Sequence, residues 1–166
     1  MITLLYNVVS ANGYIIERNG GEEFISDEIW KVFIELCKNY SVLVMGRKTY
    51  EALQKYDERL LNQLEELPIK KIVVSQNSDF QAKTGYFTLR SPEDLPFDEK
   101  ILLSSGPSLN TACLKLGLIE NVLLNVLPQT ISGHLKVFEE GMTPTLNLVH
   151  EEKYPDGRKL IFYQVD

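Results

Sequence analysis

The chain reads as an α/β protein built on a mixed sheet, and three observations predict it. Apolar strand-like runs alternate with helical segments along most of the sequence. Runs such as Val42-Leu43-Val44-Met45 are apolar without a polar alternation, which is the pattern of parallel strands covered on both faces. Near the end, Pro155-Asp156-Gly157 joins two β-rich stretches and implies an antiparallel hairpin. The predicted sheet is therefore parallel for most strands and antiparallel at one edge.

The elements follow in order. Ile2–Val9 is dense in apolar residues and reads as a strand, followed by a polar, Gly-containing loop from Ser10 to Ile25. Ser26 can cap a helix whose first turn holds Asp27 and Glu28, where the positive end of the helix dipole favours carboxylates. Spacing by threes and fours predicts Ile29, Phe33, Leu36, Cys37 and Tyr40 as its buried face. Ser41–Met45 is a second strand, which Gly46 ends. A helix opens near Thr49, and Leu60, Leu61, Leu64 and Leu67 carry helical character towards Pro68. Lys71–Val74, Tyr86–Leu89 and Ile101–Leu103 are the next strands. Pro107 suits the first position of a helix reading to Leu116, and Gly117 closes it. Val122–Leu127, Leu146–Glu152 and Lys159–Val165 complete the strands. No repeat or linker interrupts the chain, so residues 1–166 are expected to form a single domain.

Composition narrows the function. With 17 Lys+Arg against 23 Asp+Glu the net charge is −6, so the basic footprint of a nucleic-acid binder is missing and no nucleic-acid partner is expected. Hydrophobic residues make up 44% of the chain, enough for a sizeable core. The N-terminal residues lack a charged leader, and no apolar run reaches the ~18 residues of a membrane span. A cytoplasmic protein without a membrane partner is the expectation. Cys37 and Cys113 form no CxxC pair, and His134 and His150 are too far apart for an HExxH pair, so no metal is expected.

Two strand-to-helix junctions carry the candidate chemistry, because ligands of α/β sheets bind where strands end and helices begin. In Met45-Gly46-Arg47-Lys48-Thr49, Gly46 permits close approach, Thr49 offers a hydroxyl, and Arg47 and Lys48 add charge beside unpaired helix N–H groups. A tight turn with a capping threonine and two solvated cations reads equally well. The second junction, Ser104-Ser105-Gly106-Pro107-Ser108, is by itself a plain helix cap. Together they suggest two helix N-termini on one edge of the sheet, suited to an elongated anion such as a dinucleotide pyrophosphate. Neither matches GxGxxG or GxxxxGK[ST]. Asn7 and Asn125 sit inside apolar strands, where a buried amide needs partners or a wet pocket. Asn125 is the better pocket candidate. No Ser/His/Asp or Cys/His constellation is visible locally.

Val44-Met45-Gly46-Arg47-Lys48-Thr49-Tyr50-Glu51 resembles the GRKT(W/Y)E segment of dihydrofolate reductases. Ser10-Ala11-Asn12-Gly13-Tyr14-Ile15 is similar to the SLDGKI segment of the riboflavin-biosynthesis reductase (RibD C-terminal) domain. Ser105-Gly106-Pro107-Ser108-Leu109 and Leu116-Gly117-Leu118-Ile119-Glu120 resemble that domain's GGPTL and AGLVDE. The likeness continues through Pro128, Ile131-Ser132-Gly133 and Phe138, so it spans essentially the whole chain.

The resemblance implies a dihydrofolate reductase-like three-layer fold, NADPH as cofactor, and hydride transfer to a pteridine- or ribosylaminopyrimidine-like small molecule. It implies that Gly46, Arg47, Lys48 and Thr49 hold the pyrophosphate and the 2′-phosphate, with Arg47 favouring NADPH over NADH. Ser75 and Gln76 match the adenosine-side loop. Ser105, Gly106, Pro107, Ser108 and Leu109 would line the phosphates, while Val8 and Ile15 would meet the nicotinamide through backbone groups. Asn12, Trp30 and Asn125 would face the substrate. The family's carboxylate falls on Trp30 here, with Asp27 about one turn earlier as the candidate proton donor. Asn12-Gly13-Tyr14 replaces Asp-Gly-Lys, and Ser105-Gly106 replaces Gly-Gly. No zinc-deaminase signature HxE…PCxxC is present. The alternatives are a dihydrofolate reductase using Asp27 and a non-catalytic NADPH-binding module. Relatives of the riboflavin type imply a homodimer, and Lys159–Val165, if it lies at an edge, offers a strand for pairing.

Overall fold

The computed structural model describes residues 1–16, 25–133, 135–142 and 144–166. His134 and much of the loop expected before Ile25 lie outside them. Among the described residues, eight strands and four α-helices make an α/β chain with a mixed sheet. The chain divides into two compact units, Met1–Ile16 with Leu103–Asp166, and Glu17–Leu102.

In the unit Glu17–Leu102, helix α1 (Asp27–Cys37) begins as expected, with the Ser26 hydroxyl accepting from the Ile29 N–H at 3.2 Å. Its buried face is rotated from the predicted one. Ile29 and Cys37 are buried, but Trp30 and Ile34 join them, whereas Phe33 and Leu36 are half-buried and Tyr40 lies beyond the helix. Aromatic packing sets this rotation: the Trp30 ring packs tilted against those of Phe33 at 5.4 Å and Tyr56 at 5.3 Å, and hiding the largest ring removes the most apolar surface from water.

Strand β2 (Val42–Gly46) is buried from Val42 through Met45, so both faces are covered, as its unbroken apolar run requires. It runs directly into helix α2 (Arg47–Leu53), with Gly46 at the cap position. Thr49 is therefore the third helical residue and not the opening cap. The expected long helix is two, because Asp57 caps a separate helix α3 (Glu58–Glu65) by accepting from the Arg59 N–H at 2.8 Å. Strands β3 (Lys70–Val74) and β4 (Phe87–Leu89) run parallel to β2 in the order β4-β3-β2, followed by β5 (Ile101–Leu103). Leu60 and Leu64 on α3 are fully buried, each contributing ~1.5–3 kcal/mol to the core.

The unit containing both termini orders its strands β1 (Leu4–Val9), β6 (Asn121–Val126), β8 (Lys159–Val165) and β7 (Leu146–Lys153). β1 and β6 are parallel, and the other neighbours are antiparallel. Helix α4 (Pro107–Lys115) starts on Pro107. Gly117 follows its end at φ +67°, a left-handed conformation that glycine adopts without strain.

The closing hairpin forms as read, but β8 is an interior strand and β7 is the outer one. The long apolar segment Leu160–Val165 is paired on both sides, so it cannot serve as an edge. The outer strand instead exposes Leu148 and Val149, at 60% and 56% of their surface, and is bulged between Leu148 and His150.

Candidate functional site

In the unit Met1–Ile16 with Leu103–Asp166, β5 ends in the turn that opens α4. Gly106 takes the cap position with no side-chain cap bond, and its carbonyl accepts from the Asn110 N–H at 3.2 Å. Pro107 has no N–H to offer, while the amides of Ser108 and Leu109 belong to the first turn, which has no intrahelical acceptor for them. Ser105 is buried, Gly106 and Leu109 half-exposed, and Ser108 exposed. A Cβ built on Gly106 would meet nothing within 4 Å. The glycine thus leaves open space above a helix start rich in N–H donors, a cradle in which an anion can approach the backbone.

Behind this turn lies an amide cluster. Asn7 Nδ2 donates to the Ser105 carbonyl at 2.8 Å. Asn110, wholly buried on α4, points its Nδ2 at Asn7 Oδ1 (3.0 Å), the Val137 carbonyl (2.9 Å) and the Ser105 carbonyl (3.3 Å). Thr111 Oγ1 accepts from the Glu139 N–H at 2.8 Å, so α4 holds the 137–139 segment at two points. The Asn7 amide is thus satisfied within the core. Asn125 differs. It is wholly buried, its Nδ2 donates to the Tyr6 hydroxyl at 3.1 Å, and its Oδ1 has no partner among the described residues. A buried acceptor left in that state costs about 1–3 kcal/mol.

The Ser10–Ile15 loop of the same unit is tied down by Asn12. Its Oδ1 accepts from Ser10 Oγ at 2.6 Å and from the Ile131 N–H at 3.3 Å, while its Nδ2 donates to the Ile131 carbonyl at 2.9 Å. Asn12 is exposed and braces two loops. Val8 accepts from the Ile16 N–H at 2.9 Å and keeps a second lone pair on its carbonyl. The Ile15 N–H donates to the Leu135 carbonyl at 2.7 Å. Gly133 fits where it does because a Cβ there would lie 2.6 Å from that of Tyr14.

In the unit Glu17–Leu102, Arg47 opens α2. Its Nε donates to Glu51 Oε1 at 2.7 Å and its guanidinium carbon sits 5.0 Å from the Phe80 ring centre. With Nε so occupied and the plane stacked, the terminal nitrogens have no partner among the described residues and form a fork suited to a phosphate. Lys48 is exposed and Thr49 half-buried.

Ser75 is buried and its Oγ accepts from the Asn77 N–H at 3.3 Å, whereas Gln76 is exposed. The loop they begin is organised by Arg90, whose guanidinium donates to the carbonyls of Ser75, Asn77, Ser78 and Phe80 at 2.6–3.4 Å. Sequence reading missed Arg90 and Phe80 because neither stands in a motif; only the chain reversal brings them to Ser75 and Arg47. It missed Asn110 because a lone amide in Pro107–Lys115 looks like a surface residue.

Asp27, the first residue of α1, exposes 61% of its side chain and pairs with Arg59 of α3 at 3.0 Å. Trp30 is buried, and its Nε1 has no hydrogen-bond partner among the described residues. Burial raises the Cys37 and Cys113 thiols to about 12, so both are protonated core residues.

No protein-family model and no curated protein sequence matches the chain. Solved structures do. A protein assigned to riboflavin biosynthesis in Shewanella sp. PV-4 superposes with a TM-score of 0.73 at 19% identity, covering 100% of this chain and 99% of that one. A pyrimidine reductase-like protein from Corynebacterium diphtheriae gives 0.72 at 16% identity, covering 99% and 92%. Dihydrofolate reductase from Enterococcus faecalis, solved with NADP(H) and the ligand RAB-propyl, gives 0.70 at 18%, covering 99% and 96%. The chain has the dihydrofolate reductase-like fold that the resemblance implied, with the C-terminal antiparallel hairpin read from Pro155-Asp156-Gly157.

Proposed function

We propose that the chain is an NADPH-dependent reductase that transfers hydride to a heterocyclic substrate of pteridine or ribosylaminopyrimidine type. The observation that carries this reading is the open space at Gly106 above the start of α4, where backbone donors are free to take a phosphate oxygen. The stacked Arg47 fork supports it with a second phosphate-binding group. Likeness to a reductase solved with NADP(H) adds the chemistry of the fold's other users.

In this reading Gly46, Arg47, Lys48 and Thr49 hold the pyrophosphate and 2′-phosphate, and Ser75 and Gln76 border the adenosine. Ser105, Gly106, Pro107, Ser108 and Leu109 line the phosphates. The carbonyls of Val8 and Ile15 orient the nicotinamide carboxamide. When bound, the reduced nicotinamide supplies the hydride, and the chain's own task is to orient substrate and exclude water. Trp30 and Asn125 would shape the substrate pocket and Asn12 would hold its bordering loop. Asp27, paired with Arg59, is the proposed proton source. A cytoplasmic homodimer completes the proposal, with β7 as the pairing strand; sedimentation equilibrium tests the dimer.

A second reading, a non-catalytic NADPH-binding module, draws on Trp30, which puts an apolar ring where the resemblance calls for a carboxylate. Coenzyme oxidation followed by absorbance, with dihydropterins, dihydrofolate and ribosylaminopyrimidines as substrates, separates the two. Turnover with a ribosylaminopyrimidine or pterin supports the reductase; binding without turnover across the panel leaves the module.

A further inference from the structure

We infer that Asn7 and Asn110 are positioning residues that aim the Ser105–Gly106 peptide at a bound phosphate group, an assignment that rests on the coenzyme reading above and names how that site is built. The two amides come from different elements, β1 and α4, and both direct Nδ2 at one acceptor, the Ser105 carbonyl, at 2.8 and 3.3 Å. They are also bonded to each other, Asn110 Nδ2 to Asn7 Oδ1 at 3.0 Å. Both are buried, Asn110 completely, so water does not compete for these bonds.

The consequence follows from peptide geometry. In a trans peptide the carbonyl and the next residue's N–H point in opposite directions, and no peptide in the described chain is cis. Two interior donors that pin the Ser105 carbonyl inward therefore turn the Gly106 N–H outward. A Cβ added at Gly106 would meet nothing within 4 Å, and that N–H has no partner among the described residues. Pro107 contributes no donor, and the Gly106 amide is placed to reach an anion together with those of Ser108 and Leu109 in the first helical turn.

Stability alone does not account for Asn110. Its Oδ1 is buried without a partner among the described residues, a cost that an apolar side chain would avoid. Its Nδ2 reaches three acceptors with two hydrogens, joining Asn7, Ser105 and Val137 at the back of one turn. What the amide uniquely supplies is orientation of that turn.

The test uses NADPH and inorganic pyrophosphate as probes on the wild-type chain and on Asn7→Ala and Asn110→Ala, each checked for folding by thermal melting. In the wild type the Gly106 amide proton and nitrogen resonances should shift on saturation with either probe. Each folded variant should bind NADPH about tenfold more weakly, the loss expected for one misaligned hydrogen bond to a charged group. KM for NADPH should rise in proportion while kcat at saturating coenzyme stays within about twofold, a split that general loosening of the fold would not give.

A Gly106 amide unmoved by both probes, or folded variants that bind both with wild-type affinity, would overturn the assignment. If Asn110→Ala does not fold, Asn7→Ala and the wild-type resonance decide. A wild type whose Gly106 amide responds to pyrophosphate but which does not bind NADPH retains the positioning role and overturns the coenzyme reading.

Discussion

The Tyr6 hydroxyl accepts a 3.1 Å hydrogen bond from Asn125 Nδ2, joining two strands 119 residues apart in sequence. Both residues are buried, so the bond is made in a low-dielectric interior and its loss leaves an amide stranded. Tyr6→Phe is expected to lower unfolding free energy by about 1–3 kcal/mol in chemical denaturation. Tyr6→Phe combined with Asn125→Leu should cost less than the sum of the single changes, because the bond between the two is then counted once and not twice. Strict additivity would mean that the two do not interact.

Arg47 offers a sharper functional contrast. Its fork is held by Glu51 and Phe80, so Arg47→Ala removes a prepared phosphate contact without touching the core. NADPH affinity should fall about 10- to 100-fold and NADH affinity much less, since only NADPH carries the 2′-phosphate. Equal losses for both coenzymes would count against Arg47 as the residue that reads that group.

A pH prediction comes from Glu65. Burial pushes its pKa up, but hydrogen bonds from Lys83 and Tyr86 outweigh this, and the carboxyl ends below its usual range. The folded state therefore binds the proton more weakly than the unfolded chain. The stabilisation is present above the unfolded value of about 4.5 and is lost as pH falls through the lowered folded value. Glu65→Gln should destabilise the protein by about 1 kcal/mol at pH 7, allowing for partial exposure. As pH falls through the lowered folded value the difference from the wild type should shrink towards zero; a constant difference would remove the charge from the explanation.

The two thiols give a direct check of packing. With Cys37 and Cys113 buried and raised to about 12, neither should react with a thiol-specific disulfide reagent at pH 8 in the folded protein. Both should react once denaturant is added. Fast labelling of either in the native state would contradict the burial.

Much of the fold was legible because its signals are local. Val42–Met45 is apolar on both faces, Ser26 is a cap followed by two carboxylates, and Pro155-Asp156-Gly157 can hardly be anything but a turn. The misreadings arise where tertiary contacts decide. Nothing in the spacing of α1 says that Trp30 will turn inward, and Asp57 becomes a cap only because the chain breaks there. The apolar richness of Leu160–Val165 suggests either an edge that pairs or an interior strand, and only strand order shows the latter. At the candidate site the motifs at Gly46 and Ser105 could be read directly. Their supports, Phe80, Arg90 and Asn110, lie far away in sequence or look like ordinary polar residues until their partners are known.

Titration calorimetry with NADPH tests the central claim most directly. A saturable, single-site heat, weakened when Arg47 is replaced by alanine, is the predicted result. No heat at millimolar coenzyme from a protein that melts cooperatively would contradict the reductase reading.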